Sequence, residues 1–303
     1  MSFFKVPEIR EILKPLRPKL ARSIPHEIQI EPRSNRYMLV GTAFDYLLRF
    51  DLQRRAPHAR SERWVAEHAP EMLWRKTETG NTGLFLDWMN EEDTYATNEE
   101  LSSRAQAIID NAHQALNGYT QLVTPSTRDF EEMAGHAIRM AKLDALLRSR
   151  RLSPDFEQAS TEDIADLVSM LEIVPFEELV DANRILLNPV FNGASELVGG
   201  ADADLITGDM IVDIKTTKKD VVEAEQLDQI LGYFLLARKQ RAIDPSFPQI
   251  NRVGLYYSRH GFLLSLPVTH WTSDPRFLAV EEQFFSTAAR LFPQGKPVLT
   301  VPQ

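Results

Sequence analysis

Three charged side chains lie in or beside short apolar stretches, where charges are unusual. Asp204 precedes an apolar Leu-Ile pair, and Asp213 and Lys215 belong to the sequence Met-Ile-Val-Asp-Ile-Lys at 210–215. Buried charges are costly unless they are paired or bound to a metal ion. Crowded carboxylates repel one another, and a divalent cation relieves that repulsion. A lysine beside the cation can orient a water or stabilise charge on a phosphoryl group, so these residue types suit metal-assisted phosphodiester hydrolysis.

The composition narrows the choice of metal. The chain contains no cysteine, which excludes a thiolate metal site, a cysteine nucleophile and a disulfide framework. Hard oxygen ligands without thiolates favour Mg²⁺ or Mn²⁺ over zinc. We therefore expect Mg²⁺ or Mn²⁺ as the cofactor.

Two paired strands are expected to hold the three charges together. The pattern predicts strands at 197–206 and 210–215, joined by the turn Thr-Gly-Asp. Side chains alternate along a strand, so Asp213 and Lys215 share one side, and Asp202 and Asp204 share one side of the preceding strand. Neighbouring strands lie ~4.8 Å apart, which allows acids on facing positions to converge.

The surrounding elements follow from hydrophobic spacing and turn signals. The sequence predicts strands at 184–191, 252–258 and 262–268, and helices at 41–49, 101–119, 130–140, 160–171 and 223–240. The last two strands form a hairpin. This order of helix, further helices, three strands, helix and two strands predicts an α/β fold with a helical segment inserted in it.

The motifs resemble those of a known family. Asp204, followed after a glycine-containing turn by Asp213-Ile214-Lys215, resembles the PD-(D/E)xK nuclease signature, with Ala203 in place of the proline. Gln229-Ile-Leu-Gly-Tyr233 is similar to the Gln-x-x-x-Tyr motif of the RecB-like exonuclease branch. Gly41-x-x-x-Asp45 resembles the first-helix motif of that branch, whose fifth position is usually a metal-binding histidine.

The resemblance implies a fold and a division of the chain. It implies a restriction-endonuclease-like core with the element order αβββαβ, a central mixed sheet and flanking helices. Residues 41–55 and 184–303 would form this core, 56–183 a mainly helical insertion, and 1–40 a basic N-terminal arm. The similarity covers 185–268 well and 41–50 thinly.

The resemblance also implies a role for each matched residue. The metal ligands would be Asp204, Asp213, the Ile214 carbonyl and Asp45. Lys215 would position the attacking water or stabilise the transition state, and Gln229 and Tyr233 would organise the site or the DNA backbone. Asp202 competes with Asp204, which we prefer because Asp-Leu-Ile continues into the strand as in the family. Gln226 competes with Gln229, but it lies seven residues before the tyrosine rather than four.

The function that this resemblance implies is a Mg²⁺- or Mn²⁺-dependent deoxyribonuclease, with exonuclease favoured over endonuclease, in DNA repair or phage defence. Its partners would be DNA and a subunit such as a helicase. The alternative is a catalytically inactive module of the same fold that binds DNA or another protein. Folds of this kind serve more than one function, so both alternatives stay open here.

The charge distribution bears on how DNA would be held. The net charge is −9, whereas strong DNA binders are usually basic. Residues 1–60 carry a net charge of +6, either as an anion-facing surface or as a solvated arm. Lys218 and Lys219 either contact phosphate or belong to a solvated turn. No apolar run reaches the ~20 residues of a membrane helix, and we expect a cytoplasmic protein without a membrane partner.

Overall fold

The fold is α/β, with a six-stranded mixed sheet flanked by helices. The computed structural model describes residues 3–20, 23–73, 85–86, 98–149 and 151–293. Its helices are α1 (Pro7–Leu13), α2 (Tyr37–Arg55), α3 (Asn98–Tyr119), α4 (Thr127–Ser149), α5 (Thr161–Glu172), α6 (Phe176–Leu179), α7 (Asn192–Glu196), α8 (Ala224–Ile243), α9 (Thr269–Thr272) and α10 (Phe277–Leu291). Its strands are β1 (Arg60–Ser61), β2 (Phe85–Leu86), β3 (Arg151–Leu152), β4 (Ile185–Leu187), β5 (Leu205–Thr207), β6 (Met210–Lys215), β7 (Arg252–Tyr257) and β8 (Phe262–Pro267).

The main sheet has the strand order β1-β4-β5-β6-β7-β8. The pairs β1/β4 and β6/β7 are parallel, and the other three pairs are antiparallel. Parallel neighbours need a long crossover, and α8 supplies it between β6 and β7. The strands β2 and β3 form a separate parallel pair. The strand β6, which contains Asp213 and Lys215, is the fourth of the six and so lies inside the sheet. Asp213 is opposite Leu255 of β7.

A tight turn sets the register of β5 and β6, with Leu205 paired to Val212 and Thr207 to Met210. Gly208 in this turn has φ +56°, a left-handed conformation that glycine adopts at little cost. A Cβ atom at this position would also come within 2.9 Å of Asp181 Oδ2. The glycine is therefore required both by the backbone conformation and by the space around it.

Each face of the sheet is covered by its own hydrophobic cluster. Met210 and Val212 of β6 pack in the cluster that contains α2, α3, α4 and α5. Ile211 points to the other face and packs with α1, α8 and α10. The alternation of β6 therefore directs Asp213 and Lys215 toward the α8 side, as the period of two predicts.

The described helices of the predicted insertion do not stand apart from the sheet. Buried residues of α3, α4 and α5 belong to the same cluster as α2 and one sheet face. A polar contact strengthens the α2–α4 interface, because the Tyr46 hydroxyl donates to Asp144 Oδ2 over 3.2 Å. Residues 74–84, 87–97 and 150 of the predicted insertion, and 294–303 of the predicted core, lie outside the described residues.

Two predicted strands are shorter than the sequence suggested. The strand expected at 184–191 ends at Leu187, because Asn188 has φ +53° and Pro189 has no N–H to donate. The strand expected at 197–206 is wrong for 197–204, and β5 begins only at Leu205. Gly199 and Gly200, with φ +75° and +104°, interrupt the extended backbone there.

The corrected strand changes the setting of two acids. Asp202 makes an isolated bridge with Val190, and Asp204 lies in the bend directly before β5, so the two do not share a continuous strand. Asn192 and Gly193, which follow β4, are the start of α7. The strand 210–215, the hairpin β7–β8 and the helices predicted near 101–119, 160–171 and 223–240 are confirmed, with ends shifted by a few residues.

The basic N-terminal segment is in part packed against the core. Ile9 and Leu13 of α1 are fully buried in the α8-side cluster. Arg17 forms two hydrogen bonds of 2.6 and 2.7 Å with the buried carboxylate of Asp228 on α8. The solvated-arm interpretation is therefore wrong for this part of the segment, since α1 has an apolar face that must be covered. No helix among the described residues is long and apolar enough to cross a membrane.

Candidate active site

Asp213 and Lys215 meet at the carboxyl end of β6. Both side chains point to the α8 side, and Lys215 Nζ lies 2.5 Å from Asp213 Oδ2. The Asp213 side chain is 3% exposed and that of Lys215 18% exposed. The acid is therefore buried, whereas the lysine side chain is in part exposed to solvent.

Asp204 is joined to the same strand end. Its Oδ2 accepts a hydrogen bond from the backbone N–H of Ile214 over 2.6 Å. Ile214 lies between Asp213 and Lys215 in the sequence, so this bond holds the Asp204 carboxylate at the same strand end as those two residues. The predicted convergence of an acid before β5 with the acid and the lysine of β6 is thus present in the geometry.

Helix α8 supplies the amide that holds the lysine. Lys215 Nζ donates to Gln229 Oε1 over 2.8 Å, and Gln229 Nε2 donates to the Tyr233 hydroxyl over 3.0 Å. Gln229 and Tyr233 are four residues apart and lie on one helix face. The series from Lys215 through Gln229 to Tyr233 orients the ammonium group relative to Asp213.

Gln226 has a different role. Its Oε1 accepts from the Tyr257 hydroxyl over 2.8 Å and from the backbone N–H of Glu223 over 3.0 Å. The second bond belongs to a capping box at the start of α8. Of the two candidate glutamines, only Gln229 contacts Lys215.

Asp45 approaches the site from α2. It is 19% exposed and pairs with Arg49 one turn later, at 2.5 Å between Oδ2 and the guanidinium. Burial raises the pKa of Asp45 to about 8, and the Asp204 carboxylate adds to the rise although Arg49 opposes it. Asp45 of α2 and Asp204 before β5 therefore act on each other electrostatically although they lie on different elements.

The pKa values of the strand residues report the same crowding. Burial raises the pKa of Asp213 to about 7, with Asp204 adding to the rise and Lys215 opposing it. Burial alone would lower the pKa of Lys215, but the carboxylates of Asp213, Asp204 and Asp45 outweigh it and raise that pKa. Lys215 is therefore held protonated, whereas burial disfavours the ionised forms of Asp213 and Asp45.

Two arginines at the site were missed by sequence reasoning. Arg49 interacts electrostatically with Asp204 and Asp202 as well as with Asp45, and Arg148 of α4 interacts with Asp202 and Asp45. The spacing of four residues between Asp45 and Arg49 is a recognisable helix pair. No spacing in the sequence links Arg148 to these acids, because only the packing of α4 on α2 brings Arg148 near them.

The carboxylates do not form a ready-made cage for a metal. Among the described residues, no three His, Asp or Glu side chains are arranged so that they could hold an ion on their own. Oδ1 of Asp45 is nonetheless buried without a hydrogen-bond partner, and Oδ2 of Asp213 is buried against the Lys215 ammonium. The site therefore holds one buried carboxylate oxygen, Asp45 Oδ1, that lacks a donor.

In comparisons with known proteins, no family model, no curated protein and no solved structure matched this chain.

Proposed function

We propose that this protein is a Mg²⁺- or Mn²⁺-dependent nuclease that hydrolyses DNA phosphodiester bonds. The observation that carries the proposal is the meeting of Asp204, Asp213, Lys215 and Gln229 at one strand end. A purely structural ion pair would not need a second carboxylate. With the short helix α7 and the edge strands β1 and β8 set aside, the element order α2, β4, β5, β6, α8, β7 follows the αβββαβ order of the nuclease core that the motifs resemble.

The residues fit a hard divalent cation. Asp45 Oδ1 is buried without a donor, and burial together with the Asp204 carboxylate raises the pKa values of Asp213 and Asp45, so a bound cation would stabilise the ionised forms of both acids. Asp204, Asp213 and the Ile214 carbonyl would hold the ion, with Asp45 as a further ligand. Mg²⁺ usually binds one or two carboxylates together with waters and substrate phosphates, so a cage of three side chains is not required. When bound, the ion would polarise the scissile phosphate and acidify a water.

The protein's own groups then have distinct tasks. The Lys215 ammonium, held by Asp213 and Gln229, can stabilise negative charge developing on the phosphate or orient the attacking water. Tyr233 limits the movement of Gln229. Arg49 holds Asp45 in place and offsets part of its charge. A DNA repair or phage-defence role, and delivery of DNA by a helicase, extend this proposal through the family resemblance.

The test is cleavage of end-labelled linear DNA and of covalently closed DNA in Mn²⁺. We expect the wild-type protein to cut linear DNA and to lose activity in EDTA. Removing one electrostatic stabiliser of a transition state typically costs ~10²–10³ in rate, so Lys215→Ala should be slower by about that factor while it still binds DNA. Lys239→Ala, an exposed lysine of the same helix that carries Gln229, is the matched control and should cut normally.

Other results would argue against the nuclease. Cleavage that survives in EDTA, or a Lys215→Ala protein as active as wild type, would contradict the proposal. A thermal midpoint that does not respond to millimolar Mn²⁺ would favour the catalytically inactive module, because a ligand that binds only the native state must stabilise it.

A further inference from the structure

An exposed aromatic and apolar pair lies at the start of the helix that carries Asp45. Tyr37 and Met38 are the first two residues of α2, and they are 49% and 89% exposed. Both side chains are therefore accessible to a ligand. Lys218 lies beside them, with Nζ 5.7 Å from the centroid of the Tyr37 ring. We call these three residues the Tyr37 rim.

The rim borders the candidate active site. Gly41, one turn into α2, lies so close to the chain after β6 that a Cβ atom built on it would be 3.6 Å from Thr216 Cβ. Thr216 directly follows Lys215, and Lys218 comes two residues later. The first turn of α2 and the segment leaving the catalytic strand are thus in contact, with the rim on their outer side.

A groove lies beside Met38 of the rim, along α2 and α4. It has a volume of about 390 Å³, and its lining includes Met38, Thr42, Ala145 and Arg148. Met38 belongs to the rim, so the groove begins at the exposed pair. Its cationic lining residues Arg36, Lys142 and Arg148 are each paired with a carboxylate.

Lys218 differs from the other cations near this groove. Arg36 pairs with Asp163, Lys142 with Asp155, Arg148 with Asp144 and Lys219 with Glu223. Lys218 has no carboxylate at ion-pair distance among the described residues. The first turn of α2 also contains no acidic side chain that would repel a phosphate. The rim thus combines an exposed ring with a cation that a phosphate can engage.

We propose that the Tyr37 rim binds one unpaired nucleotide of the DNA strand that enters the site, with the base stacked on Tyr37 and Met38 and its phosphate at Lys218. This inference rests on the proposed nuclease function. Every base has a π-face, so stacking on an aromatic side chain tolerates any sequence. The flexible stem of Lys218 lets its ammonium group leave the ring and follow the phosphate. A base inside a duplex cannot reach the ring, so the rim selects a single-stranded segment.

Binding can be measured without cleavage. Fluorescence anisotropy of a labelled single-stranded oligonucleotide is recorded with the Lys215→Ala protein in Mn²⁺. Adding Tyr37→Ala should weaken binding about 5- to 150-fold, the range that alanine substitution of a stacking residue gives. Tyr37→Phe keeps the ring and should bind nearly as well as the parent. Equal affinities for Tyr37→Ala and Tyr37→Phe would overturn the proposal.

The contact is located by moving a single abasic site along the oligonucleotide. The parent protein should lose affinity at one position of the abasic site, and Tyr37→Ala should be insensitive at that position, because the base and the ring are lost together. Lys218→Met should reduce the salt dependence of binding by about one phosphate contact, whereas Lys239→Met should not. A uniform response to the abasic site at every position would count against a defined subsite.

These outcomes separate the rim from the nuclease activity. If the wild-type protein cuts DNA and Tyr37→Ala binds and cuts normally, the rim is overturned and the nuclease stands. If binding depends on Tyr37 in a protein that never cuts DNA, the rim is supported and the nuclease activity is overturned.

Discussion

Two buried charge groups of this molecule are built in opposite ways. Arg259, in the turn between β7 and β8, is 2% exposed and forms two parallel hydrogen bonds of 2.8 Å with the fully buried carboxylate of Asp166 on α5. A further 3.1 Å bond from Arg259 reaches the Ile30 carbonyl. In this pair both carboxylate oxygens have a donor, so the charges are compensated within the protein.

The group around Asp213 is incomplete by comparison. Asp213 Oδ2 pairs with Lys215 Nζ at 2.5 Å, and this one ammonium also interacts with a second carboxylate, Asp204, which accepts from the neighbouring Ile214 N–H. Burial and crowding raise the pKa of Asp213 to about 7. The comparison teaches that burial of charge is common to both groups, whereas a second carboxylate competing for the same cation distinguishes the one that could act on a substrate.

The largest expected effect is on the satisfied pair. Arg259→Met should lower the free energy of unfolding by about 3–5 kcal/mol, because it leaves Asp166 buried and unpaired. Urea denaturation measures this as a shift of the midpoint at constant slope. The double variant Arg259→Met/Asp166→Leu should recover most of the loss, since both charges are then gone.

Arg276→Met, which breaks the exposed pair with Asp274, is the control and should scarcely move the midpoint. If Arg259→Met were as stable as this control, the pair would not be the stabilising group described here.

Much of the incomplete group could be predicted from the sequence. The alternation of β6 places Asp213 and Lys215 on one side, and the spacing of Gln229 and Tyr233 places both on one face of α8. These periodicities are local, so the side on which each residue lies can be predicted without knowledge of the tertiary structure. The short turn at Gly208 likewise made β5 and β6 neighbours.

Other features depend on packing that no local pattern reveals. Gly199 and Gly200 shorten β5, so Asp202 lies outside the strand that the alternation of residues suggested. Arg148 reaches the cluster only because α4 packs on α2. The Arg259–Asp166 pair joins residues 93 positions apart. Such contacts are set by the tertiary structure, and the sequence around Arg148, Arg259 and Asp166 does not indicate which residues they pair with.

The second prediction concerns the unsatisfied group. Because the folded-state pKa of Asp213 is raised to about 7 from its ordinary 3.8, folding is favoured when this acid is protonated. The stability that protonated Asp213 contributes to the fold is complete below pH ~4 and is lost as the pH rises through about 7. Asp213→Asn cannot lose a proton, so in EDTA it should unfold at a similar temperature to wild type at pH 4–5 and at a higher temperature at pH 8.

Thermal denaturation in EDTA and in Mn²⁺ tests this prediction. Mn²⁺ should raise the midpoint of wild type at pH 8 but not that of Asp213→Asn, which should also be inactive. Asp209→Asn, in the same hairpin but paired with Arg252 at the surface, is the matched control and should keep the response to Mn²⁺. A wild-type protein that is equally stable relative to Asp213→Asn at both pH values would show that Asp213 carries no uncompensated charge.

The smallest effect separates two glutamines of one helix. Gln229→Leu removes the acceptor of Lys215 and the donor to Tyr233, and we expect about a tenfold lower kcat, since a hydrogen bond to a charged group contributes ~1.5–3 kcal/mol and water replaces part of it. KM should change little, because the lysine acts on charge that develops in the transition state. Gln226→Leu, which breaks the bonds to Tyr257 and Glu223, should instead lower the midpoint of unfolding and leave kcat unchanged. Steady-state kinetics and thermal denaturation of both variants decide the matter: equal losses of kcat would mean that Gln229 supports the fold and does not position the lysine.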